Sequence, residues 1–365
     1  MKKSLLFLMA IIIISVTGCG ETQETFNGQN GKSLNKDNIH IAYVAMSTSS
    51  PHGLINEKYN IFADELAKSG IKVKLTTTRS LDNVYPMMDN ENSPDFVYLP
   101  HSAFTTYVTK TSKFGGSDKY AIVAGSLDLS DVELVTRPEI KSLKDLDGKK
   151  VGISNLRYTD EFQLNKLLAT VGLKTKSMGG TVEVIWDDIV SMTSQNYEKG
   201  LYDAVVVFNT DNRSLALKKV PGSNYQKLFP GDLYDGLHPR IWMVAKKELI
   251  KSYPELVKEV LKAHILSDDK AKAERDELPA LNRKVYLDYF KEKGADLSDK
   301  HPIEKYEERW KLPRITYDPN VEFITGLFEY LDKNGLAEEM SLTDFVQSTP
   351  LNEVLEDMGR LEVKE

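Results

Sequence analysis

The side chains able to do chemistry in this sequence are hydroxyls, amides, imidazoles and single aromatic rings, gathered just past short apolar runs. Ser47, Ser49 and Ser50 follow Ile39–Val44, and His101 and Ser102 follow Phe96–Leu99 across Pro100. Asn155, Arg157, Tyr158 and Thr159 follow Val151–Ile153. Trp186 ends the run from Val182, Asn209 follows Ala204–Phe208, and Trp242 stands within Ile241–Ala245. Hydroxyls and backbone N–H groups where a helix starts favour a polar or anionic head group. Arg157 and Arg240 carry a planar fork that matches carboxylate or sulfonate oxygens. Tyr158, Trp186 and Trp242 offer ring faces to an apolar portion, and Asp187 and Asp188 can accept from an amine. These are means of holding a molecule. Each has a structural alternative: Ser102 and Thr159 serve equally as helix caps, Trp242 as half core and half wall, Arg240 in a hinge ion pair, and Asp187 and Asp188 as first-turn acids beside a helix dipole.

Machinery for making or breaking bonds is missing. There is no Gly-x-Ser-x-Gly elbow, and Asp147-Gly148-Lys149-Lys150 lacks the upstream glycine and the hydroxyl residue of a phosphate loop. No Gly-x-Gly-x-x-Gly follows the first apolar run. His40, His52, His101, His238, His264 and His301 are scattered without a His-x-x-x-His pair. A single cysteine rules out an intramolecular disulfide framework and a cysteine-rich metal site. No catalytic residue, metal or cofactor is therefore expected. The formal charge is −7, and −9 once Lys2 and Lys3 are lost with the leader described below; an acidic chain lacks the clustered cations that nucleic acid requires.

The elements that must position these side chains alternate. Extended runs are predicted at 39–44, 71–76, 95–99 and 120–125, with helical patterns from His52 to Lys68, near Leu81–Met88 and from Pro100 to Lys110. A second block repeats the order, with strands at 149–154, 182–186 and 203–208 and helices at 159–171, 187–198 and 211–218. Strand–helix alternation with short connections implies parallel α/β sheets. Val132–Thr136 and Ile241–Ala245 flank the second block and form two crossings between lobes. The expected fold is α/β: two doubly wound parallel-sheet lobes joined by a two-strand hinge, with a helical C-terminal region. The Met87-Met88 pair and the stripe of Tyr286, Tyr289 and Phe290 read as core.

The N-terminus adds topology. Met-Lys-Lys-Ser precedes an apolar run from Leu5 to Val16, about 12 residues, which is the pattern of a secretory leader and too short for a permanent span. The only cysteine, Cys19, stands where that leader ends. Val16-Thr17-Gly18-Cys19 resembles a bacterial lipobox, which implies cleavage before Cys19 and acylation of it, and two or more acyl chains anchor stably. Polar residues 19–38 then form a flexible tether. The organisation expected is leader 1–18, tether 19–38, lobe one from 39–130 with 242–365, and lobe two from 131–241.

The body resembles the substrate-binding lipoproteins of ABC importers in the nitrate/sulfonate/taurine (aliphatic sulfonate) group, which have the type II periplasmic-binding fold. The likeness runs in order over residues 39–358. It is carried by Gly53–Phe62, by Asp95–Phe104, by Ser142–Ser154 opening the second lobe, by Gly200–Val207 with its Gly-x-x-Asp-Ala pattern, by Tyr253–Lys258, and by Gly335-Leu336 through Leu342–Phe345. Two turns differ. Asn155–Thr159 is bulkier than the family's glycine-and-serine turn and carries a cation, and Asn209-Thr210 replaces an acidic-Pro pair. A distant relative on the same fold makes a pyrimidine vitamin precursor with a cysteine-rich motif, and the body of this chain has no cysteine.

The resemblance implies an extracytoplasmic solute-binding lipoprotein, monomeric, that delivers a small organic ligand to an ABC permease and its ATPase without chemical change. A sulfonate or similar organic anion is the favoured ligand. It would be held on the outer face of the cytoplasmic membrane, or in the periplasm of a diderm host. Ligands of open α/β sheets bind beyond the strand carboxyl ends. That rule selects 46–51, 100–105, 155–160, 208–212 and 238–242 as the cleft. Two other functions stay open: an exported enzyme pairing His101 with Asp160 or Asp187, and a ligand sensor reporting to a membrane receptor.

Overall fold

In the computed structural model of the protein, the described residues are 36–45, 49–78, 81–109, 118–130, 132–153, 157–187, 190–208, 223–227, 237–311, 313–337 and 340–364. Residues 36–365 form one compact unit. Cys19, the leader, most of the tether and the expected helix at 211–218 lie outside the described residues.

The strands are β1 (Asn38–Val44), β2 (Lys72–Thr78), β3 (Phe96–Pro100), β4 (Tyr120–Leu129), β5 (Val132–Thr136), β6 (Lys150–Ile153), β7 (Glu183–Trp186), β8 (Ala204–Phe208), β9 (Asn224–Lys227), β10 (His238–Lys246) and β11 (Arg314–Ile315). They make two sheets, ordered β11-β4-β10-β3-β1-β2 and β7-β6-β8-β5-β9. The β-branched and aromatic runs that signalled strands are buried throughout β3, β4 and β5, as expected of strands covered on both faces. The sheets are mixed rather than purely parallel. β1 pairs in parallel with β2 and β3, and β6 with β7 and β8, but β10 runs antiparallel to β3 and β4, and β5 antiparallel to β8 and β9. The two crossing segments are the cause: each enters a sheet from the end at which its neighbours leave.

Helices cover the sheets: α1 (Pro51–Tyr59), α2 (Ile61–Ala67), α3 (Leu81–Asp89), α4 (His101–Val108), α5 (Arg157–Ala169), α6 (Val190–Glu198), α7 (Lys247–Ser252), α8 (Pro254–Ala273), α9 (Leu278–Glu292), α10 (Ile303–Trp310), α11 (Val321–Lys333), α12 (Leu342–Phe345) and α13 (Thr349–Asp357). The single helix expected from His52 to Lys68 is two. Asn60 takes a left-handed conformation at φ 53°, ending α1 and opening α2; asparagine tolerates this region better than most side chains. Asn320, also left-handed, caps α11 by accepting the Phe323 N–H. Met88 is buried, with Met87 packed beside it, and Tyr286 is buried as well.

One core lies under the first sheet, around Leu99, Phe104, Trp242, Val244, Phe323 and Leu327. The second sheet has its own core around Leu134, Val151, Leu164, Leu168 and Val206. Burying each such side chain contributes roughly 1.5–3 kcal/mol. Helix α5 serves both. Leu164, Leu167 and Leu168 enter the second core, whereas Tyr158 and Phe162, one turn apart, enter the first.

Gly125 sits where the chain at Asp318 crosses β4 and donates its N–H to the Tyr317 carbonyl. A Cβ there would stand 2.0 Å from the Asp318 carbonyl oxygen. Gly125→Ala should therefore destabilise the protein by about 2 kcal/mol or more through backbone overpacking, read as a lowered midpoint in chemical denaturation. A midpoint equal to wild type would show that the 316–319 crossing yields.

Candidate functional site

The registers locate the site. Chain leaves the first sheet at Leu129 and enters the second at Val132, which pairs with Phe208 at the carboxyl end of β8. It re-enters the first sheet at His238, opposite Leu129. The carboxyl ends of β1, β3 and β4 and the start of β10 thus lie at one end of the first sheet. Those of β6, β7 and β8 and the start of β5 lie at one end of the second. The short crossing from Leu129 to Val132 joins these two ends, and α4 packs against α5 across the junction.

The junction is buried and polar. On α5, Thr159, Asp160, Glu161 and Gln163 are all 1% exposed or less. Facing them, His101 and Ser102 open α4 and His238 opens β10, each at most 2% exposed. His101 Nδ1–H donates to the Arg240 carbonyl at 3.4 Å, and its Nε2 faces the Gln163 amide nitrogen at 3.5 Å. The His101 and His238 rings lie 5.6 Å apart, edge to face. Ser102 Oγ and Gln163 Oε1 have no hydrogen-bond partner among the described residues. Buried polar atoms in proteins nearly always have partners, so these two are groups that a bound molecule would satisfy.

Electrostatics keep both imidazoles neutral. Burial pushes His101 down to about 3, and the Arg240 cation adds to the effect. Burial likewise holds His238 well below the usual histidine range, reinforced by His101 and Arg240. Neutral imidazoles offer one donor and one acceptor each.

The expected residues distribute unevenly. Ser47, Asn155 and Asn209 lie outside the described residues, and Arg157 is placed only as the first residue of α5. Ser50 caps α1, accepting the Gly53 N–H at 3.3 Å. Ser49 is tied to α9: its N–H donates to Asn282 Oδ1 at 3.3 Å, and its hydroxyl accepts from Asn282 Nδ2 at 3.1 Å. The cap alternative is corrected for Ser102 and Thr159. The N-cap of α4 is Pro100, and α5 starts two residues before Thr159, so both hydroxyls stand inside a first turn. Trp242 is fully buried in the first core, its indole N–H donating to the Pro319 carbonyl at 3.0 Å, so the half-wall reading gives way to a core position. It reaches the site through His101, whose ring it meets edge-on at 5.9 Å. Trp186 ends β7 at 39% exposure, its ring perpendicular to that of buried Tyr158 at 5.6 Å. Asp187 accepts from Tyr202 Oη at 2.9 Å and from Asn196 Nδ2 at 3.0 Å, which ties it to the second sheet.

Gln163, Asn282 and Ser126 escaped sequence reasoning. Gln163 follows Asp160 by three residues and Thr159 by four, so projecting α5 as a helix would have put all three on one face. Asn282 and Ser126 carry no comparable signal. They matter only because the fold sets α9 and β4 beside the chain that follows β1.

Residues 122–277, which span both crossings and the second sheet, match the NMT1/THI5 like family. Comparison with curated protein sequences yields no match. Among solved structures, the periplasmic aliphatic sulphonate binding protein SsuA from Escherichia coli is similar with a TM-score of 0.59 at 15% identity, covering 90% of this chain and 95% of that one. The periplasmic nitrate-binding protein NrtA from Synechocystis PCC 6803 is similar with a TM-score of 0.58 at 12% identity, covering 89% of each chain. The desulfurization enzyme DszB has a TM-score of 0.50 at 11% identity, covering 88% of this chain and 100% of that one. The chain has the fold of these proteins: two mixed α/β sheets covered by helices.

The buried histidines predict acid lability. Each binds a proton in the unfolded chain below about pH 6.5 but resists it when folded, so its contribution is full above that pH and is lost as pH falls toward the folded value. For His101 alone the loss reaches about 2 kcal/mol by pH 5. Asp128, raised to about 6 by burial despite Arg314, acts in the opposite sense between roughly pH 4 and 6. Denaturation midpoints at pH 7.5, 6 and 5 should fall steeply for wild type and less steeply for His101→Gln. Parallel slopes would show that His101 is not held neutral.

Proposed function

We propose that this protein is an extracytoplasmic solute-binding lipoprotein that closes two lobes on a small organic ligand and presents it to an ABC permease and its ATPase. The observation that carries the reading is the junction itself. Two sheets meet at their strand carboxyl ends across side chains that are buried yet polar, contributed by α4 and β10 on one side and α5 on the other. Beside the apolar seat of Tyr158 and Phe162, a permanent interface would gain more from apolar residues in this strip as well, because buried polar groups cost free energy unless paired. A surface that opens to water and closes on a ligand needs hydrogen-bonding groups in both states.

The lobes expected at 39–130 with 242–365, and at 131–241, are adjusted in this reading so that β10 joins the first lobe from His238, with the crossings near Leu129–Val132 and His238 as the hinge. Closure excludes water and lets both lobes touch the ligand, so binding shifts an open–closed population. A small organic anion, sulfonate-like, is the favoured ligand. Arg240 supplies a nearby cation, and the similar structures include a sulfonate-binding and a nitrate-binding protein. Cys19, acylated after removal of residues 1–18, would tether the body outside the cell through residues 19–38. The likeness to DszB keeps chemistry on this fold in view. Of the pairings such an enzyme would use, His101 with Asp160 or Asp187, the second is taken up, because Asp187 is engaged by Tyr202 and Asn196, and the neutral His101 is held by Arg240 and Gln163.

Titration calorimetry against sulfonates, carboxylates, phosphonates and pyrimidines should yield one class with micromolar or tighter binding, accompanied by a smaller radius of gyration in solution scattering. Binding without compaction would contradict closure, and turnover of the bound compound would favour an enzyme. Cys19→Ser should shift the protein from the membrane fraction or leave its leader uncleaved; unchanged membrane retention of a processed protein would refute the lipid anchor.

A further inference from the structure

Beneath Ser50 runs a chain of polar side chains that ligand capture as described does not use. Ser50 Oγ lies 2.9 Å from Ser126 Oγ, which lies 2.9 Å from His52 Nδ1. His52 Nε2 stands 3.5 Å from Asp268 Oδ1, a charge contact rather than a hydrogen bond, and Asp268 Oδ2 is 2.5 Å from Lys272 Nζ as an ion pair. Ser50, Ser126, His52 and Asp268 are 1% exposed or less, whereas Lys272 reaches solvent. The His52 ring is held in place by stacking on His264 at 4.0 Å between centroids, and His264 Nδ1 is itself bonded to Tyr98 Oη at 2.7 Å.

The order of protons along this chain follows from its charged end. Burial works against the Asp268 charge, but His52 and the Lys272 ammonium outweigh it and hold the carboxyl below its usual range. Burial also keeps His52 neutral despite Asp268. A neutral imidazole beside a carboxylate turns its N–H toward it, because the other tautomer would aim a lone pair at a negative charge. Nε2 of His52 therefore carries the hydrogen and Nδ1 is bare. Nδ1 accepts the Ser126 proton, so the Ser126 oxygen accepts from Ser50. A serine hydroxyl has one proton and two lone pairs. Ser50 spends its proton on Ser126 and one lone pair on the Gly53 N–H. What remains is a single lone pair.

We propose that Ser126, His52 and Asp268 are positioning residues that make Ser50 a one-way hydrogen-bond acceptor, so that the ligand sets an amine or ammonium N–H against it and seats its anionic end elsewhere in the cleft. The inference rests on the solute-binding reading and departs from the expectation that the hydroxyls after β1 hold an oxyanion. The N-terminus of α1 favours an anion by its dipole alone, but an oxyanion would meet the Ser50 lone pair head-on.

Calorimetry on the full-length protein tests it with ligands matched in chain length: ω-amino carboxylates and ω-amino sulfonates against the corresponding dicarboxylates and disulfonates. Wild type should prefer the amine-ended member by roughly tenfold or more. Ser126→Ala releases the Ser50 proton and should narrow or reverse that preference. Equal affinity for both ends in wild type, or the same preference in Ser126→Ala, would overturn the proposal. Binding of no ligand in the panel would overturn the solute-binding reading and this inference with it. Nitrogen-15 NMR of the His52 ring reads the relay without any ligand, and so remains decisive if Ser126→Ala fails to fold. A bare Nδ1 and a protonated Nε2 are expected; a protonated Nδ1 would overturn the relay even if amine-ended ligands bind.

Discussion

Phe162 meets Phe323 edge-on at 5.2 Å and Tyr330 at 6.1 Å, and with Tyr158 it carries a helix of the second sheet into the core of the first. The site depends on this contact. Tyr158 and Phe162 occupy one face of α5, Leu164, Leu167 and Leu168 another, and Thr159, Asp160 and Gln163 a third, from which Gln163 faces His101. A helix with two apolar faces and a polar strip is an unstable object in water. It is stable here because each apolar face has a core to enter, and the strip between them becomes a wall of the junction. Gly326 leaves room for the ring: a Cβ there would come within 3.3 Å of Phe162. The seam is also held by polar contacts near its edge. Ser177 donates to Glu161, beside Tyr330, and Asn334 reaches the Met178 sulfur.

Much of this was legible in the sequence because the signals were local. Apolar runs of four to six residues with short polar connections place β1 to β3 and β5 to β8 within a residue or two, whereas β4 and β10 extend three or four residues further and the short β9 and β11 carry no such run; Gly70, Gly172, Gly200 and Gly335 each mark an element's end with a positive φ. The crossings were legible because Val132–Thr136 and Ile241–Ala245 are extended and apolar yet fit neither block. What could not be read is orientation. Both crossing strands look like any buried strand, and nothing local says that they run antiparallel. Asn60 shows a smaller limit. The apolar spacing continues across it, so the pattern reads as one helix, whereas one left-handed residue makes two.

The site divides along the same line. Hydroxyls and rings at strand ends were found by rule, and Ser50, His101 and Ser102 do stand at that end of the first sheet. Trp242 was misjudged because a tryptophan near a cleft has two uses, and only the carbonyl of Pro319, 77 residues away, decides between them. Asn282 is the more instructive omission. It accepts from the Trp310 indole and the Ser49 N–H through one oxygen, and gives its amide to the Ser49 hydroxyl. No periodicity announces such a residue, since its role is set by three segments far apart in sequence.

These buried polar groups explain how the chain entering α1 at Ser49 and Ser50 can be positioned without being apolar. Replacing His52, Ser126, Asp268 and Asn282 by well-packed hydrocarbon would not necessarily weaken the fold, because desolvating a charged pair often offsets its attraction. What hydrocarbon cannot supply is direction. A packed methyl group fixes where a neighbour sits, but a hydrogen bond also fixes which partner gives the proton, and in the proposed relay two of them carry that choice from His52, beside the Asp268 charge, through Ser126 to Ser50. Affinity for a small polar molecule depends on matching donors to acceptors once water is excluded, where one mismatch leaves a buried group unsatisfied at a cost of about 1–3 kcal/mol. The apolar seating of α5 therefore determines that the two sheets meet, and the proposed relay beneath α1 is what would determine the ligand accepted between them.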